Sequence, residues 1–147
     1  MYKLRLFSYG ANMDISTLHE RHIKYINYRV GILKDYQFKF NKPTINKLNS
    51  FANINPRIGS QVEGIISTIT IETLKLLDIY EGYPKHYQRE KVSVIDYKTK
   101  KTLSAIVYIA NSKTVIDGLF PTEQYYDKII RGRNFIRELK QKKFLKK

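Results

Sequence analysis

Gln61-Val62-Glu63-Gly64-Ile65-Ile66-Ser67-Thr68-Ile69-Thr70 runs straight into Ile71-Glu72-Thr73-Leu74-Lys75-Leu76-Leu77-Asp78-Ile79-Tyr80-Glu81-Gly82, and the change of rhythm between the two halves is the clearest architectural signal in the chain. The first half is dense in β-branched residues and predicts a strand over 61–69. Thr70 then opens a helix in which Leu74 and Leu77 fall on one side, and Gly82 with Pro84 ends it.

Downstream, 89–97 and 102–109 predict a hairpin across the polar turn Lys98-Thr99-Lys100-Lys101. Pro121 and Thr122 precede a long helical stretch carrying Tyr126, Ile129, Ile130, Ile136 and Leu139. Upstream, Leu4, Leu6 and Ser8 alternate with Arg5, Phe7 and Tyr9 in a first strand that ends at Gly10-Ala11-Asn12. Asp14 is placed to cap a short helix over 15–21, with Ile15, Leu18 and His22 near one face. Two extended segments follow, 28–33 and 36–40, the second with Tyr36, Phe38 and Phe40 alternating against Gln37 and Lys39. The stretch 41–60, with Pro43, Pro56, Gly59 and many asparagines, reads as loop interrupted by a short strand at 51–54. There is no internal repeat. Strands dominate and helices are inserted among them, so the expected class is α+β with a largely antiparallel or mixed, curved sheet.

The 147 residues fit one domain over 1–147, with a basic C-terminal helix or tail from about 131. A hydrophobic content of 42% is too high for a disordered chain, and no apolar run approaches the roughly 20 residues that span a bilayer. Cysteine is absent, which removes disulfides, thiol nucleophiles and thiolate metal sites. The start, Met1-Tyr2-Lys3-Leu4-Arg5, alternates charge with apolar residues and lacks a secretory signal, so a cytoplasmic location is expected. The net charge of +14 invites a nucleic-acid reading. Half of that excess sits in 131–147, where Arg131, Arg133, Arg137, Lys140, Lys142, Lys143, Lys146 and Lys147 face only Glu138. The rest is spread as on an ordinary solvated surface.

Phosphate loops, GxGxxG, nucleophile-elbow serines and paired-histidine zinc helices are all missing. His19 and His22 are three apart on the expected first helix, but no third ligand stands at a useful spacing, so no metal is expected. His86, in a loop, is given no role. In Phe7-Ser8-Tyr9-Gly10-Ala11-Asn12-Met13, glycine and asparagine permit a sharp turn whose backbone N–H groups form a concavity for a carboxylate or an oxyanion. A strand-turn-helix junction with glycine is also commonplace in structures that bind nothing there. Glu81 by itself reads as a solvated residue at a helix end, and Asp78, one turn earlier, as a structural carboxylate bonded to nearby backbone.

Read together, these segments are similar to the γ-glutamylcyclotransferase superfamily, which includes AIG2-like proteins. The shared pattern is the strand-end Tyr9-Gly10-Ala11-Asn12-Met13, the Val62-Glu63-Gly64-Ile65-Ile66 strand, Leu77-Asp78-Ile79-Tyr80-Glu81-Gly82, the Tyr87-Gln88-Arg89-Glu90-Lys91-Val92-Ser93-Val94 strand and Pro121-Thr122-Glu123-Gln124-Tyr125. The match runs from about Phe7 to Gly132. The first motif resembles the YGSNM branch, which includes enzymes acting on γ-glutamyl amino acids, more than the YGTL branch acting on γ-glutamyl amines. The resemblance implies a compact mixed β-barrel with flanking helices. It also implies a cofactor-free transferase or lyase chemistry in which a γ-glutamyl amino acid or amine closes to 5-oxoproline and frees its amine.

The family's catalytic glutamate falls on Glu81. Its substrate-holding backbone falls on Tyr9, Gly10, Ala11, Asn12 and Met13, and its substrate-facing tyrosines on Tyr87, Tyr108 and Tyr125. Ala11 stands where the family usually has serine, which removes a hydroxyl but keeps the N–H. After Gly132 the Gly-Leu-Pro segment common in relatives is replaced by Arg133-Asn134-Phe135-Ile136, so the C-terminal wall of the pocket is expected to differ.

An ordinary glutamate near pKa ~4.3 is a poor base for an α-ammonium near ~8, a mismatch of about 5 kcal/mol. Ile79, Tyr80, Tyr83 and Tyr87 are expected to shelter Glu81 and raise its pKa. The competing reading is a catalytically silent barrel whose basic C-terminus contacts nucleic acid or another acidic partner.

Overall fold

A computed structural model describes residues 3–145, with side chains through residue 142. Met1, Tyr2, Lys146 and Lys147 lie outside the described residues, as does the side chain of Lys143. The elements run β1 (Lys3–Ser8), a 3-10 turn (Ala11–Met13), α1 (Ile15–Glu20), β2 (Arg29–Pro43), β3 (Ser50–Thr70), α2 (Ile71–Glu81), β4 (Tyr87–Asp96), β5 (Thr102–Ala110), a second 3-10 turn (Ser112–Thr114) and α3 (Glu123–Leu145). The five strands close into a barrel in the order β1-β3-β2-β4-β5. All pairings are antiparallel except β1 with β5, a parallel contact at Leu6 and Ile106 that closes the ring. This is the α+β, mixed-barrel class expected from the sequence. Among the described residues no helix is long and apolar enough to cross a membrane.

β3 shows why 61–69 is dense in β-branched residues with little alternation: both of its faces are covered over 64–69. Val62 and Ile66 join Phe7, Leu33, Ile54, Val94 and Val107 in one core. Ile69 belongs to a second core, with Leu18 of α1 and Leu74 and Leu77 of α2. Ile65 packs with Met13 and with Ile136 of α3 in a third.

Gly64 sits where β3 crosses β1. A methyl group there would overlap the Ser8 carbonyl and approach the Phe7 ring to 2.7 Å. Gly64→Ala is therefore expected to cost about 1–3 kcal/mol of stability, read as a lowered midpoint in thermal or urea unfolding.

Two expectations are corrected. The segments 28–33 and 36–40 are one strand, and 41–60 is mostly strand rather than loop. β2 and β3 form a single long hairpin whose register shifts between Lys34 and Tyr36 and again between Phe40 and Lys42. At the first shift Asp35 takes a left-handed φ of 65° and its carboxylate accepts from the Gly59 N–H (3.0 Å). The residues 57–60 loop outward there, which accommodates Gly59 and the neighbouring Pro56 within a strand. Asn46 and Asn49 do shape the tip at 44–49, where Asn46 Oδ1 accepts from the Leu48 N–H (3.0 Å), but Asn41, Asn53 and Asn55 form a relay inside the strands. Asn53 Nδ2 donates to Asn41 Oδ1 (3.0 Å), Asn41 Nδ2 donates to Asn55 Oδ1 (2.9 Å), and Asn53 Oδ1 accepts from the Ala110 N–H (2.8 Å).

The helix caps follow local chemistry. Thr70 Oγ1 accepts from the Thr73 N–H at the start of α2, and Gly82, at φ 64°, ends it with the Tyr83 N–H returning to the Asp78 carbonyl. Asp14 occupies the cap position of α1 but does not cap its backbone. Its buried carboxylate instead accepts from Arg131 Nε (3.1 Å) and Nη2 (3.0 Å), Ser16 and Thr17. Burial pushes the Asp14 pKa up, but these donors outweigh it and hold the group below its usual range. His22 is exposed and ends the helix at a left-handed φ of 57°, so it does not share a buried face with Leu18.

The basic run of α3 is partly structural. Besides Arg131, Arg133 Nη1 donates to the Glu63 carbonyl (2.8 Å) and Lys140 pairs with the Glu63 carboxylate. Gly132 lets the helix close on the first 3-10 turn, where an added methyl would meet Met13 Cβ at 2.7 Å. These contacts bring Tyr125, near the start of α3, over the end of β1.

Candidate active site

A cleft of about 920 Å³ opens between the end of β1, the end of α2, the β2–β3 tip and the first turns of α3. Tyr9, Gly10, Ala11, Asn12, Glu81, Tyr87, Tyr108 and Tyr125 all line it, so residues more than a hundred positions apart meet in one cleft. Met13 does not line it. Its side chain is turned into the core against Gly132, because the 3-10 turn reverses direction at that residue. The same turn uses the Met13 and Asp14 N–H groups on the Gly10 and Ala11 carbonyls (3.0 Å each), so the expected backbone concavity shrinks to the N–H groups of Gly10, Ala11 and Asn12, of which that of Ala11 is turned toward the Tyr125 hydroxyl.

Glu81 stands in the last turn of α2, partly accessible as a whole residue, with its carboxyl enclosed. Burial pushes its pKa up to about 7, against a smaller lowering by the Arg21 guanidinium. The shelter is the expected one only at Tyr87. Ile79 and Tyr80 are exposed, at 76% and 45%, and Tyr83 lies at the surface over Arg89. Successive helical residues point about 100° apart, so sequence neighbours of Glu81 cannot all surround it. Tyr87 is joined near the carboxyl by four tyrosines from elsewhere, Tyr9, Tyr25, Tyr108 and Tyr125. For each, burial is the main cause that raises the hydroxyl pKa, and the negative charge of Glu81 adds to it.

Three of their hydroxyls donate away from the carboxylate. Tyr9 donates to the Tyr108 carbonyl (2.6 Å), Tyr87 to the Ala52 carbonyl (2.7 Å) and Tyr108 to Asp78 Oδ1 (2.7 Å). Tyr125 accepts from the Ala52 N–H (3.1 Å), and Tyr25 shares a hydrogen bond with Ser8 Oγ (3.2 Å). Among the described residues nothing hydrogen-bonds the Glu81 carboxylate. Its environment is therefore enclosure without compensation, which is the condition that lifts a carboxyl pKa.

Asp78, expected to bond backbone through its side chain, is instead held by Tyr108 and by Arg89 Nε at 3.6 Å, while its carbonyl serves the helix cap. Three cleft residues escaped the sequence reading. Arg21 donates to Asn12 Oδ1 (3.0 Å) and lies over the Tyr80 ring at 4.9 Å. Lys42 is 4% exposed and touches His86 Nδ1 (3.2 Å). His86 packs on Gly82, immediately after Glu81. His19 is exposed like His22, and among the described residues no three His, Cys, Asp or Glu side chains gather as a metal site.

A closed five-stranded barrel with a sheltered carboxylate at the end of α2, lining one cleft with the turn after β1, has the form of a cyclotransferase-like α+β barrel. The chain belongs to the family described as gamma-glutamyl cyclotransferase, AIG2-like, whose model matches residues 6–128. Among solved structures it is similar to a gamma-glutamyl cyclotransferase (20% identity, TM-score 0.75, 95% of this chain and 87% of that one). A human protein described as uncharacterized is comparably similar (20%, 0.74, 95% and 88%). A yeast gamma-glutamyl cyclotransferase specific to glutathione is also similar (10%, 0.65, 96% and 97%). Among curated proteins no sequence matches.

Proposed function

We propose that the protein cyclises a γ-glutamyl compound to 5-oxoproline with release of the amine, and that Glu81 carries the proton. Family membership supports the reaction class. The single observation that carries the assignment is the enclosed carboxyl of Glu81, with a pKa of about 7, lining the same cleft as Gly10, Ala11 and Asn12.

The substrate supplies its own nucleophile. Its α-nitrogen attacks the γ-carbonyl carbon, the new C–N bond closes a five-membered ring, and the amide C–N bond breaks. Intramolecular attack of this kind reaches effective molarities of about 10⁵–10⁸ M when the chain is held bent. The protein has to hold that bend and move two protons. Glu81 takes the first from the α-ammonium to free the attacking amine and the second from the ring nitrogen after attack, and passes each to the departing nitrogen, which leaves as an ammonium. With Glu81 at about 7, the gap to an ammonium near ~8 falls to about one unit, or ~1.4 kcal/mol.

Arg21 and the N–H groups of Gly10, Ala11 and Asn12 receive the α-carboxylate and the developing oxyanion. The tyrosine rings exclude water and stay protonated. Because backbone groups perform the anchoring, Ala11 in place of serine leaves the chemistry intact.

The test is incubation with a panel of γ-glutamyl amino acids and γ-glutamyl amines, following 5-oxoproline and the freed amine. Stoichiometric appearance of both is expected. Silence across the panel from folded protein would refute the reaction.

A further inference from the structure

The cleft has a second half that cyclisation alone does not require. Its walls carry six basic residues, Arg21, Lys42, Lys47, Lys85, Lys113 and Lys128, and one acid, Glu81. They come from five separate parts of the fold: the end of α1, β2 with its tip, the loop after α2, the second 3-10 turn, and α3. A γ-glutamyl group brings a single carboxylate, for which Arg21 and the turn after β1 suffice.

Lys42 sets this half apart from a merely solvated rim. The register shift after Phe40 breaks strand alternation, so Asn41 and Lys42 are both buried. Asn41 is used in the asparagine relay. The Lys42 ammonium meets no carboxylate in any ion pair among the described residues, and its hydrogen-bond partner there is His86. Burial lowers the Lys42 pKa, with no carboxylate acting against it. Burial, Lys42 and Lys85 in turn lower that of His86, which keeps its ring neutral and Nδ1 free to accept. An ammonium has three donors, and this contact uses one. A buried cation without a counter-ion, beside an open cleft, is costly unless an anion arrives.

Resting on the cyclotransferase reading, we propose that Lys42, backed by Lys47, Lys85, Lys113 and Lys128, forms an anion subsite for the departing amine, so that the preferred substrates are γ-glutamyl compounds whose leaving group carries carboxylates. γ-Glutamyl-glutamate, whose leaving amino acid has two carboxylates, is the representative case. γ-Glutamyl-alanine has one, γ-glutamyl-methylamide none, and γ-glutamyl-cadaverine, whose leaving diamine carries no carboxylate, adds a positive charge. The chemistry of the step is unchanged: the ring C–N bond forms, the amide C–N bond breaks, and the two protons lost by the α-nitrogen pass through Glu81 to the leaving nitrogen. The lysines act only on where that nitrogen's substituent rests.

The experiment measures kcat/KM for these four compounds at low and at physiological salt, in the wild type and in Lys42→Met, a substitution that fills the buried site without charge. The expected wild-type order is glutamate, alanine, methylamide, with cadaverine last. Salt should raise KM for the glutamate compound much more than for the methylamide, because screening weakens cationic attraction. In Lys42→Met the glutamate-to-methylamide ratio of kcat/KM should fall by about ten- to a hundredfold, the worth of one charge-assisted hydrogen bond.

A wild type that turns over all four compounds without this order, or a ratio that Lys42→Met leaves unchanged, overturns the subsite and leaves the reaction standing. If Lys42→Met does not fold, the wild-type order and its salt dependence decide alone. Absence of 5-oxoproline from every compound overturns the reaction, and the subsite with it.

Discussion

Glu81→Gln is expected to lower kcat/KM for 5-oxoproline formation by about 10²–10⁴-fold, the usual worth of a positioned general acid–base group. The amide keeps the shape and cannot exchange the proton. The same change should leave the protein more stable in alkaline solution. The Glu81 pKa is raised from 4.5 to about 7 in the folded chain, so the contribution of this group is fully present below pH 4.5 and is lost as pH rises through 7. Above that, the wild type holds an enclosed charge that glutamine lacks. The variant should gain up to about 3 kcal/mol at pH 8 and nothing below pH 4.5. Loss of activity together with loss of fold would point to a structural role instead. A variant that is inactive and more stable at pH 8 is the signature of a working base.

Activity should also fall steeply in acid. The free enzyme needs Glu81 ionised, so kcat/KM is expected to rise with a midpoint near pH 7 and to be about 100-fold lower two units below it. Arg21 is the one side-chain charge that holds this pKa down. Arg21→Met should therefore move the midpoint upward, besides weakening substrate binding. A profile flat from pH 5 to 8, or a downward movement in the Arg21 variant, would show that another group carries the proton.

The barrel was legible in the chain wherever strand or helix periodicity was undisturbed. The strand 61–69, its helix with the Thr70 and Gly82 ends, the hairpin across Lys98–Lys101 and the long C-terminal helix all stand close to where the sequence places them. The hairpin of β2 and β3 was not legible, because its register shifts put Asp35, Pro56, Gly59 and buried asparagines inside strands. Those residue types ordinarily mark loops, and only the closed barrel supplies partners for Asn41 and Asn53.

The site divides in the same way. Glu81 and the tyrosines at 9, 87, 108 and 125 were found through the resemblance, since a lone glutamate at a helix end carries no local signal. Apart from Tyr87, the cage around it could not be read from neighbours in sequence, because Tyr9, Tyr25, Tyr108 and Tyr125 arrive from other elements or loops. Arg21, Lys42 and His86 were invisible for a different reason. In a chain of net charge +14, each basic residue looks like surface, and only the folded barrel buries Lys42 and brings Arg21 and His86 to the cleft.

The claim on which the account rests is that this tyrosine cage keeps the Glu81 carboxyl protonated until near-neutral pH. The most direct measurement is an NMR titration of protein labelled with ¹³C at the glutamate Cδ, with the Glu81→Gln variant identifying the resonance. A midpoint near 7 is the expected result. A midpoint at the ordinary carboxylate value, near ~4.3, would contradict it.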